Sequence, residues 1–105
     1  MFQDQLMPPH APRLEIKPEE VVRQLAKLLP PYKVILFNDD YNERDYVVAA
    51  LLRVVNNLTH TQAYEIMMTA DTHGNAIVVV CPRELAEHYQ ECLLSYGLTA
   101  TIEPE

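Results

Sequence analysis

Three short apolar runs, and the lengths of chain between them, constrain this sequence most. Residues 32–37 (YKVILF), 75–81 (NAIVVVC) and 98–102 (LTATI) have strand length and β-rich composition. The intervening segments repeat at the helical period. Val47, Ala50, Leu51, Val54, Val55 and Leu58 recur at i, i+3, i+4, i+7, i+8 and i+11, predicting a helix over about residues 43–55. Thr59-His60-Thr61-Gln62 fits a capping box that opens a second helix, with Ala63, Ile66, Met67 and Ala70 inward and Gly74 as its stop. Pro82 opens a third helix bearing Leu85, Tyr89, Cys92, Leu93 and Tyr96, closed by Gly97.

The order is therefore β-α-α-β-α-β. If each helix runs back along the sheet, the second and third strands point one way and the first points the other. A central first strand then makes both neighbouring pairs antiparallel. The expected fold is α+β in two layers, a three-stranded antiparallel sheet with three helices on one face. The nearly pure β-branched run AIVVVC is read as a strand buried on both faces or held in a central contact.

Residues 31–105 are read as this domain and residues 1–30 as an N-terminal extension. Pro8, Pro9 and Pro12 break any period up to about residue 16, which predicts a flexible arm. Val21, Val22, Leu25, Leu28 and Leu29 then share a helical stripe over 18–29, and Pro30-Pro31 ends it. The net charge of −7 disfavours nucleic acid and anionic membrane as partners and favours a cationic ligand or a basic protein face. Two cysteines outside any CxxC read as free thiols in a reducing compartment. With no signal-like or membrane-spanning run, a cytoplasmic protein is expected. His10, His60, His73 and His88 have no ligand-like spacing, so no metal or cofactor is expected.

The first strand runs directly into Asn38-Asp39-Asp40. These residue types favour turns, and Asn42 reads as the N-cap of the next helix, with Asp45 three residues on. One cap is enough, however, and three acceptor-rich side chains precede it. Acceptors at the rim of an apolar pocket suit a ligand with an ammonium head and a hydrophobic tail, because an ammonium offers only donors. A free protein N-terminus with a bulky first side chain is such a ligand.

PYKVILFNDDYNERDYVV, AYEIMMTADTHGNAIVVVCPRELAEH and GLTATIEP, within residues 31–104, resemble the ClpS family. These are adaptors that recognise destabilising N-terminal residues and deliver such proteins to a Clp AAA+ chaperone–protease. The resemblance implies the ClpS fold, shared with the C-terminal domain of the ribosomal stalk protein. It implies that Asn38 and Asp39 contact the α-amino group and first peptide bond, and Asp40 matches the next acidic position. Asn42, Val47, Met67, Ala70 and Leu98 fall in the side-chain pocket. Tyr41 and Glu84 match positions facing the chaperone's N-terminal domain. Expected partners are that domain and N-degron peptides, with the adaptor itself a monomer and not an enzyme.

Three positions depart from the family pattern. Asp71 stands where a histidine commonly bonds the α-amino group, and His73 lies about 200° further round the helix. The aspartate implies stronger attraction for an ammonium and like-charge strain with Asp39 in the empty site. Arg44 replaces the usual rim methionine; its stem can cover a ligand, but its charge sits poorly beside another cation. Ala70 replaces a frequent valine and should enlarge the cavity. Arg44 and the VVVC strand resemble the cyanobacterial and plastid branch. Two other classes remain open: a protein-binding module without an amine pocket, and a metal-dependent hydrolase using Asp39, Asp40 and Asp71.

Overall fold

The computed structural model describes residues 17–28 and 30–105, and among them the side chains of 17–25 and 30–105. The arm expected up to residue 16, and Leu29, lie outside the described residues. The elements are α1 (Pro18–Leu28), β1 (Pro31–Phe37), α2 (Arg44–Val54), α3 (His60–His73), β2 (Asn75–Pro82), α4 (Arg83–Ser95) and β3 (Thr99–Pro104). From β1 onward this is the β-α-α-β-α-β order that the periodicities predict.

The sheet order is β2-β1-β3, with β1 antiparallel to both neighbours. Val34 and Leu36 of the central strand are buried, and with Ala76, Val78 and Ala100 they meet Leu51, Met67 and Leu93 from the helices. Many of the remaining core positions are alanines (Ala50, Ala63, Ala70 and Ala86), which let helix backbones approach closely.

β2 departs from expectation. It is an edge strand, and its run alternates: Ala76, Val78 and Cys81 are buried, whereas Ile77 and Val80 are 52% and 41% exposed. A bulge shifts the register between Val34 and Ile35, whose partners are Val79 and Ile77, so Val78 is the extra residue. An unbroken β-branched run favours the extended backbone whether or not both faces are covered. Continuity alone therefore overstated the burial.

The helix ends follow their local chemistry. Thr59 accepts from the Gln62 amide while the Gln62 side chain accepts from the Thr59 amide, a complete capping box. Gly74 ends α3 in the left-handed region at φ 91°, its N–H donating to the Ala70 carbonyl. At the end of α4, Gly97 N–H donates to Leu94 and Leu98 N–H to Leu93. This is a Schellman pair, with Leu93 and Leu98 buried together. On α1, Val21, Val22 and Leu25 are exposed, so the described part of its apolar stripe is not taken up by the core.

A Cβ on Gly74 would meet nothing within 4 Å, so a side chain there is penalised by backbone conformation alone. Gly74→Ala is expected to destabilise the fold by about 1–2 kcal/mol, and Gly74→Asn by less, because asparagine tolerates this region. Urea unfolding of the three proteins measures it; equal stability of all three would refute the left-handed cap.

Candidate functional site

The segment after β1 is held by backbone bonding before any side chain acts. The Asn38 N–H donates to the Gly74 carbonyl at 3.0 Å, extending the β1–β2 ladder one residue past the strand. The chain then turns around Asp39. One carboxylate oxygen, Oδ1, accepts from the Tyr41 and Asn42 amides at 2.9 and 2.7 Å, and Oδ2 accepts from Asn42 Nδ2 at 2.9 Å. The second hydrogen of that amide reaches the Gly97 carbonyl at 3.0 Å, tying the loop to the end of α4. Partial burial alone would raise the Asp39 pKa; the three hydrogen bonds outweigh it and hold the carboxyl below its ordinary value of 3.8.

This corrects the capping assignment. Glu43, not Asn42, is the N-cap residue of α2, with extended φ and ψ of −70° and 151° and no side-chain cap bond. Asn42 instead donates both Nδ2 hydrogens, to Asp39 Oδ2 and to the Gly97 carbonyl, and these bonds set the orientation of its side chain. The turn-forming chemistry of the segment is thus concentrated in Asp39. Nearby, Tyr46 Oη donates to the Tyr96 carbonyl at 2.5 Å, a second tie between the start of α2 and the end of α4.

Beneath this rim lies a cavity of about 470 Å³, within the size range of small-ligand sites. Its apolar wall comes from Leu36 of β1, Val47 of α2, Met67 and Ala70 of α3, and Leu98 after α4. All but Val47 are buried. Met67 and Ala70 are three residues apart on one helix and so share a face. The rim contributes Asn38, Asp39, Asn42, Arg44 and Asp71.

Of the twelve positions singled out in the sequence as site residues, nine line the cavity: every pocket and amine position except Asp40. Asp40 is exposed and does not line it. Leu36, Phe37, Glu43 and Asp45 also line the cavity and were not anticipated. The signal for Leu36 and Phe37 was their position immediately before Asn38. Tyr41 is 94% exposed, and Glu84 is exposed in the first turn of α4; both lie outside the cavity wall.

The expected strain between Asp71 and Asp39 is relieved by a contact that the sequence reading did not foresee. Arg44 Nη2 lies 2.6 Å from Asp71 Oδ2, so the two unusual rim residues neutralise each other. Among the described residues no group of three or more His, Cys, Asp or Glu side chains is arranged to hold a metal ion. That geometry gives no support to a carboxylate metal site.

A family model described as ATP-dependent Clp protease adaptor protein ClpS matches residues 27–101. The ClpS adapter protein of Synechococcus elongatus is 46% identical over 89 residues, covering 85% of this chain and 92% of that protein. The chloroplastic adapter CLPS1 of Chlamydomonas reinhardtii is 47% identical over 94 residues, covering 90% of this chain and 58% of that protein. Among solved structures, Agrobacterium tumefaciens ClpS2 bound to L-phenylalaninamide superposes with a TM-score of 0.65 at 38% identity, covering 72% of this chain and 98% of that one. These relatives are named as adaptors of a protease and not as enzymes. With the matched segment spanning β1, β2, the first half of β3 and every residue of the cavity wall, the chain belongs to the ClpS family of Clp protease adaptors.

Proposed function

We propose that this adaptor captures proteins by a free N-terminus bearing a bulky hydrophobic residue and passes them to a Clp AAA+ chaperone–protease. The observation that carries the reading is the pairing of an apolar floor (Leu36, Val47, Met67, Ala70 and Leu98) with an acceptor-rich rim at Asn38, Asp39 and Asp71. L-phenylalaninamide, the ligand of the Agrobacterium relative, has this combination of free amine and large side chain. Asp39 acts twice in this reading. Its fixed carboxylate shapes the loop, and its remaining acceptor capacity faces the ammonium.

Charge-assisted hydrogen bonds contribute about 1.5–3 kcal/mol each, and burial of a Leu or Phe side chain about 1.5–3 kcal/mol more. Ordering and association take back several kcal/mol. Micromolar affinity, about −8 kcal/mol, follows, and suits a carrier that must release its cargo. Residues 31–105 form the cargo-binding unit in this scheme and residues 1–30 the delivery extension. Tyr41 and Glu84, exposed outside the cavity, face the chaperone's N-terminal domain.

No described helix is long and apolar enough to cross a membrane, and Cys81 and Cys92 are both free. We read the protein as a cytoplasmic monomer, in the same branch as its cyanobacterial and chloroplastic relatives.

Fluorescence anisotropy with labelled peptides that differ only in residue 1, each with a free or acetylated amine, tests the reading. Micromolar binding of Leu or Phe peptides that acetylation weakens at least tenfold is expected. Equal binding of both forms would instead favour an interaction module without an amine site.

The Asp39 carboxyl gives a pH signature. Because its folded pKa is depressed, its stabilising contribution is fully present above the unfolded value and is lost as pH falls through the folded one. Carbon-detected NMR should therefore place its midpoint below 3.8, and Asn42→Ala should move that midpoint upward. A midpoint unmoved by the substitution would contradict the assigned hydrogen bonds.

For the second surface, Tyr41→Ala and Glu84→Ala should weaken binding to the isolated chaperone N-terminal domain while leaving peptide affinity within twofold or so. Calorimetric titration with each partner separates the two. Parallel loss of both affinities would mean that the surfaces are not distinct.

A further inference from the structure

The oppositely charged residues at the cavity mouth meet each other. The 2.6 Å contact between Arg44 and Asp71 joins the first residue of α2 to the last turn of α3. Each residue is placed against the field of its own helix. A cation at a helix N-terminus and an anion at a C-terminus both stand at the unfavourable end of the dipole. Helix formation therefore does not account for either choice. Nor does folding stability, since the side chains are 62% and 32% exposed and exposed pairs contribute little.

What the pair does control is the charge available inside the cavity. Asp39 already accepts three hydrogen bonds from its own loop. Asp71 is the other half-buried carboxylate on the wall, and its partner is one end of a long, exposed side chain. Among the described residues, Arg44 is the only base that lines the cavity.

Resting on the amine-site reading above, we propose that Arg44 is a resident competitor for the cargo's α-ammonium, holding Asp71 until an incoming N-terminus displaces it. Guanidinium and ammonium are both cations that only donate hydrogen bonds, so they compete for the same oxygens. At Asp71 cargo then exchanges one ion pair for another, so the net electrostatic gain from its amine comes chiefly from the Asn38 and Asp39 side of the rim. Discrimination shifts to the first side chain. Only N-termini that fill the apolar floor bind well, and a free amine on a small residue does not suffice.

The test uses a Leu-initiated peptide, free and acetylated, on four full-length proteins: wild type, Arg44→Met, Asp71→Asn and the double variant. Arg44→Met is expected to raise affinity for the free-amine peptide by up to about fivefold and to leave the acetylated peptide unchanged. With Asp71→Asn already present, Arg44→Met should change the ratio of the two affinities far less. An equal gain in both backgrounds would overturn the exchange, because Arg44 would then act as a repulsive charge that needs no Asp71. Absence of any gain would overturn it as well. If none of the four proteins distinguishes free from acetylated peptide, the amine site itself falls and takes this proposal with it.

Discussion

The antiparallel pairing of β1 with both neighbours is the constraint on which the site depends. It places the C-terminal end of β1 beside the start of β2 and the start of β3. Asn38 then bonds to Gly74, and the α4–β3 turn comes within reach of Asn42. Three points far apart in the chain are thereby brought to one end of the sheet. Because Gly74 holds a left-handed conformation without strain, α3 can stop there and β2 can begin at the next residue. The cavity is what remains between that corner and the start of α2.

Much of this geometry was legible because it is local. Thr59 and Gln62 announce a helix start through two reciprocal bonds three residues apart, and Gly74 and Gly97 announce helix ends. The inward residues Met67 and Ala70 follow from the helical period. The same reasoning failed where one residue type serves several roles. Asparagine caps helices, but Asn42 has its amide drawn away by Asp39 and by a carbonyl 55 positions along the chain. β-branched residues fill two-sided strands, but they serve equally well at an edge such as β2.

The contact between Arg44 and Asp71 was illegible for a different reason. Its partners are 27 residues apart, on two helices whose relative placement no local rule provides. Taken separately, each looked like a disadvantage, one an extra anion beside Asp39 and the other a cation facing a cation. Only the packing of α2 against α3 turns the two into a pair. Resemblance to a family supplied the roles of these positions, and geometry supplied the relation between them.

The tie from Asn42 to the Gly97 carbonyl has a kinetic corollary. Gly97 is fixed by a Schellman turn and Asp39 by its own loop, so the mouth of the cavity is braced from both sides before any ligand arrives. A braced mouth needs no closing motion and leaves little conformational entropy to be lost on arrival. Ligands should therefore enter at similar rates whatever they carry, and differ chiefly in how long they stay. For a carrier protein, dwell time would then be the selective quantity.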